Sequence, residues 1–113
     1  MHELSIATNI VEIVEEEITK ANAKEATEIV LEIGSMSGVI VEALEFAMDE
    51  AIKNTRLQKA NRSIVELQAE AHCTKCQNKF EVDDFFAVCP KCGSFETDII
   101  KGKELKIKTL KLN

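Results

Sequence analysis

The 113-residue chain has no tryptophan, no tyrosine and a single proline. Five phenylalanines are its only aromatic residues, so the interior must be mostly aliphatic. A basic excess is also missing. The formal net charge of −6 argues against general affinity for nucleic-acid phosphates and reads as a solubility device. No apolar run reaches the length of a membrane span, and residues 1–20 lack the charged-then-apolar layout of a secretory signal. The expected compartment is the cytoplasm. In that reducing setting the four cysteines are poor candidates for structural disulfides and point to metal or redox chemistry.

What is present suits a folded α+β chain of one modest domain with a small appendage. Residues 3–22 read as an amphipathic helix. Leu4, Ala7, Val11, Val14 and Ile18 form one row and Ile6, Ile10 and Ile13 the next, while Glu12, Glu15 and Glu16 face away. In "EIVLEIGSMSG", Ile29, Leu31 and Ile33 alternate with Val30 and Glu32 as in a half-buried strand, and Gly34 and Gly38 bracket a turn. Ser37 is the expected cap of a second helix to about Asn54, with Leu44, Ala47, Met48, Ala51 and Ile52 on its apolar face. Alternation returns at Val65, Leu67 and Ala69. It returns again in "ELKIKTLKLN", where the phase slips between Thr109 and Leu110, as at a bulge or an uneven face. The expected fold is a small mixed α/β domain, two helices on a sheet of strands 27–34, 62–71 and 103–112, built from residues 1–71 plus 98–113. Residues 72–97 interrupt it as an inserted ribbon.

That insertion, "CTKCQNKFEVDDFFAVCPKCG", carries Cys73, Cys76, Cys89 and Cys92 as two CxxC pairs separated by twelve residues. A CxxC turn supplies two thiolates along one edge of a tetrahedron, and two such turns close the shell around zinc with no open position. Such a site is structural, because no place remains for an activated water. Iron in a rubredoxin-like site uses similar pairs, and a lone CxxC can be a redox couple. Four of the five phenylalanines fall here, Phe80, Phe85, Phe86 and Phe95, as rings around a small metal-held ribbon. With four thiolates in place, His72 is read as a neighbour of the shell or as solvent-facing.

The chain opens "MHELSIA", placing an α-amine, an amide and an imidazole within two residues. Together with "EIVLEIGSMSGVIVEALEFAMDEA" and the late CxxC pairs, this start resembles the HypA family of nickel metallochaperones along essentially the whole chain. The resemblance implies a mixed α/β nickel domain plus a zinc ribbon. It also implies delivery of Ni(II) for maturation of [NiFe]-hydrogenase, and in some organisms of urease, together with the GTPase HypB and the hydrogenase large subunit. Its nickel ligands would be His2 and, through backbone nitrogen, Met1 and Glu3. The chemistry agrees: the Met1 amine, the His2 amide and His2 Nδ1 form two fused chelate rings, and the Glu3 amide or a side-chain oxygen fills a fourth place. A planar nitrogen set suits Ni(II) or Cu(II) and not tetrahedral Zn(II). Some family members place an aspartate where this chain has Ile40, which cannot ligate. Glu42 reads as a helix-surface carboxylate, so the fourth ligand stays open.

A zinc-ribbon module binding protein or nucleic acid is the alternative, motivated by the lysines of "KGKELKIKTLK" and by Lys75, Lys79 and Lys91. Those on the ribbon also offset the negative charge of a four-thiolate site. No nucleophile–base pair, phosphate loop or open zinc position nominates an enzyme.

Overall fold

The computed structural model describes residues 2–82 and 87–113; the expected roles of Met1, Phe85 and Phe86 lie outside the described residues. The elements run α1 (Glu3–Lys20), β1 (Ala26–Gly34), α2 (Val41–Ala51), β2 (Asn61–Leu67), β3 (Ala69–Cys73), β4 (Lys79–Val82), β5 (Thr97–Lys101) and β6 (Leu105–Leu112). Two three-stranded sheets result, β2-β1-β6 and β4-β3-β5. The chain packs as two compact units: Met1–Glu32 with Val39–Val65 and Lys106–Asn113, and Ile33–Gly38 with Glu66–Leu105.

The first unit holds both helices and most of the sheet β2-β1-β6. Helix α1 buries Ile6, Ala7, Ile10, Val11, Val14 and Ile18, so its apolar period sets the packed face. Leu4 and Ile13, expected on that face, flank it and are 57% and 50% exposed. Helix α2 buries Leu44, Ala47 and Met48 and starts three residues later than Ser37 as its cap predicts. Its N-cap is Ile40, in extended backbone and with no side-chain cap; Ser37 instead belongs to the preceding turn, its N–H donating to Gly34 O at 3.0 Å. Strand β1 alternates buried Ile29 and Leu31 with half-buried Val30 and Glu32. The loop after α2 is latched to α1 by Arg56. Its Nε donates to Glu15 Oε1 at 2.6 Å, and its Nη2 donates to Glu15 O at 3.1 Å and Thr19 Oγ1 at 2.8 Å. Strand β6 shows the expected change of phase, with Thr109 and Leu110 both half-buried.

The single strand expected over 62–71 is two strands in two sheets, broken at Gln68. Ser35 holds the break: its N–H donates to Leu67 O at 2.8 Å and its Oγ accepts from Ala69 N–H at 2.9 Å. In the second unit β3 pairs antiparallel with β4, Ala71 opposite Phe80, and with β5, Cys73 opposite Thr97, with an irregularity at Glu70/Ala71. The unit extends on both sides of residues 72–97. Its core is thin: Met36, Ala69, Ala71 and Val82, with Phe80, Ala87 and Ile99 against them. Phe95 is 75% exposed and adds nothing to that core.

Candidate metal centre

Both halves of the cysteine segment are built bond for bond alike. The Gln77 N–H donates to Cys73 O at 2.9 Å, as the Gly93 N–H does to Cys89 O at 2.8 Å. Cys73 N–H donates to Asn78 O at 2.8 Å, as Cys89 N–H does to Ser94 O at 3.0 Å. Each turn therefore needs a left-handed residue just after its second cysteine: Gln77 at φ 67° and Gly93 at φ 74°. Thr74 ties one turn to the other, its N–H and Oγ1 both donating to Glu96 O, at 2.9 and 2.8 Å.

These turns bring all four sulfurs within 4.8 Å of one another. Across the two turns, Cys73 Sγ to Cys92 Sγ and Cys76 Sγ to Cys89 Sγ are both 3.6 Å, and all four cysteines are free thiols. A tetrahedral zinc with bonds of about 2.3 Å needs sulfur–sulfur edges of about 3.8 Å, so the donor set fits a closed four-sulfur site. Cys73 and Cys89 are buried, Cys76 is half-buried and Cys92 is exposed.

The thiols are not equivalent. The backbone N–H of Cys76 pulls the Cys73 thiol below its ordinary range, against the push of burial. Burial pushes Cys89 up, but the N–H groups of Cys92 and Lys91 and the neighbouring thiols together bring it down to about 6. The Ser94 N–H favours the Cys92 thiolate, yet burial and the three other sulfurs push that thiol up to about 12. Backbone donors aimed at sulfur are what a metal-bound thiolate set requires. His72 stays out of the cluster, half-buried, with Nε2 2.8 Å from Gln77 Oε1. Asn78, whose Nδ2 donates to Cys89 Sγ at 3.8 Å, was not legible from spacing, because its role depends on the turn geometry.

At the amino end, His2 is exposed and extended (φ −80°, ψ 135°) and forms the N-cap of α1, its carbonyl accepting from Ile6 N–H at 3.2 Å. Its imidazole makes no hydrogen bond among the described residues. Glu3 is the surprise. Its Oε2 accepts the Ile40 N–H at 3.3 Å, which brings residue 40 beside the terminus. The Glu3 backbone N–H and that of Ile40 hold its carboxyl below the usual range. Glu42 lies exposed in the first turn of α2.

Known proteins resemble this chain along almost its whole length. The profile of the family described as "Hydrogenase/urease nickel incorporation, metallochaperone, hypA" matches residues 1–112. A hydrogenase maturation factor HypA of Parabacteroides distasonis is 46% identical over 110 residues, covering 97% of this chain and 96% of its own. That of Francisella philomiragia is 36% identical over 113 residues, covering the whole of both. The solution structure of the Ni metallochaperone HypA from Helicobacter pylori superposes with a TM-score of 0.70 at 25% identity, covering 99% of this chain and 97% of its own. The fold of helices and small sheets is thus shared with a solved metallochaperone, the matching names are those of metallochaperones rather than enzymes, and the chain belongs to the HypA family of hydrogenase and urease nickel-incorporation metallochaperones.

Proposed function

We propose that this chain binds Ni(II) at its amino end and passes it to the hydrogenase large subunit, or in some organisms to urease maturation proteins, together with a HypB-type GTPase in the cytoplasm. The cargo is held by the Met1 amine, the His2 amide and Nδ1, and the Glu3 amide. Residues 1–71 with 98–113 handle nickel. Residues 72–97 hold a structural Zn(II) through Cys73, Cys76, Cys89 and Cys92.

One observation supports the nickel reading most directly: His2 is an exposed N-cap with an unengaged imidazole, immediately ahead of α1. The amides of residues 2 and 3 precede the i→i−4 ladder, so they can release their protons to solvent as the metal binds without breaking a helical bond. Two amide anions balance the charge of Ni(II), which spares the positive helix end a bare cation. An exposed terminal clasp also exchanges its ion readily, as a carrier must.

The test is nickel titration of untagged wild-type protein beside His2→Ala, followed by the absorption of planar Ni(II). Losing a ligand should weaken binding by more than about a hundredfold, beyond the 10- to 100-fold worth of outer partners alone. Equal affinity in the two proteins removes the basis for the assignment.

A further inference from the structure

Helix α2 begins without the side chain that helix starts usually supply. Its N-cap is Ile40, where Ser, Thr, Asp or Asn would bond the first free N–H groups. The Leu44 N–H already donates to Ile40 O at 3.0 Å, so the helix is engaged from this residue onward. The Ile40 N–H itself is bonded by Glu3 Oε2, from 37 residues away, at 3.3 Å. A carboxylate from the first turn of α1 thus supplies the negative charge that favours the start of α2.

We propose that the Glu3 carboxylate is a positioning group that couples nickel loading at the amino end to the start of α2, with Ile40 as the residue that registers it. The inference rests on the nickel site assigned above. The carboxylate accepts the Ile40 N–H across 37 residues of sequence, so the backbone of Glu3 and the start of α2 are joined through one side chain. Nickel held by the Glu3 nitrogen fixes the backbone from which this side chain springs. The direction of the carboxylate, and with it its hold on Ile40, changes when the ion binds. Ile40 is 64% exposed, so this shift presents itself at the surface as a displaced apolar side chain. A receiving protein can read that change without touching the ion.

The experiment is NMR of untagged full-length protein titrated with Ni(II), which is diamagnetic when planar, following the Ile40 amide and methyl resonances. In wild type these resonances should shift in step with the absorption of planar nickel. Glu3→Ala should still take up nickel, weakened by no more than about tenfold, the worth of one exposed charge-assisted hydrogen bond. Its Ile40 resonances should no longer respond. Glu3→Gln keeps an acceptor oxygen and should restore part of the response. Three outcomes overturn the proposal: wild-type Ile40 resonances that ignore nickel, an unchanged response in Glu3→Ala, or loss of uptake in Glu3→Ala as complete as in His2→Ala, which would make the carboxylate a ligand. Normal nickel uptake by His2→Ala is a separate result that defeats the nickel site itself.

Discussion

Gly34 is where a single methyl group should do the most damage. A Cβ there would lie 2.0 Å from Gly102 O and 2.1 Å from Gly102 C, against 3.4 Å or more for ordinary contact. The Gly102 carbonyl would have to retreat by more than about 1 Å, an overpacking displacement. It is poorly placed to do so. It accepts the Met36 N–H at 2.7 Å, and a Cβ on Gly102 would itself meet Ala69 at 2.4 Å, so Ala69 closes in from behind. Gly34 is not among the residues with positive φ, so alanine suffers no backbone strain and the whole effect is crowding. Overpacking costs about 1–3 kcal/mol and a broken buried backbone bond about as much again, giving roughly 4 kcal/mol for Gly34→Ala. With a urea slope of about 2 kcal/mol per molar, the midpoint of unfolding should fall by about 2 M. Urea titration of zinc-loaded protein by far-ultraviolet circular dichroism measures this. A midpoint within about 0.5 M of wild type would refute the crossing of Gly34 and Gly102 described here.

Cys73→Ser replaces a buried thiolate and should lower zinc affinity by at least about a hundredfold, an even share of a site worth about 10 kcal/mol or more; Cys92→Ser, at an exposed position where water can enter, should lose less, as competition with a chromophoric chelator would report. Zinc affinity should fall more steeply below about pH 6, because the Cys89 thiol titrates at about 6, is thiolate above that value and takes on a competing proton below it. Proton release on zinc addition, measured on both sides of that pH, gives the sign directly: more protons leave on the acid side. Arg56→Ala removes a half-exposed ion pair together with two further bonds to α1 and should cost about 1 kcal/mol in chemical denaturation; no change would show that the latch is ornamental.

The zinc-type cluster was legible because CxxC spacing alone determines a turn, and two equal turns imply a shared centre. Helix α1 was legible because its apolar period is long; only Leu4 and Ile13, at the margins of the stripe, were placed wrongly. The start of α2 was not. Ser37 is a plausible cap by residue type, but the real partner of the helix start is Glu3, a contact no local window contains. The strand over 62–71 keeps one alternation across Gln68, so nothing in its pattern marks the change of sheet that Ser35 enforces. Nor does composition reveal that Gly34 and Gly102 meet. Local chemistry is written in short words; long-range contacts are written in pairs of positions far apart.

The likeness of the two cysteine knuckles has a practical side. Each closes its own turn through its own backbone, so a molecule stripped of one knuckle still displays an intact half of a tetrahedron. Two such molecules offer, between them, the same number of sulfurs that one intact molecule brings together. Preparations carrying a single-knuckle lesion should be weighed for metal-bridged pairs before any loss of activity is blamed on the cargo end.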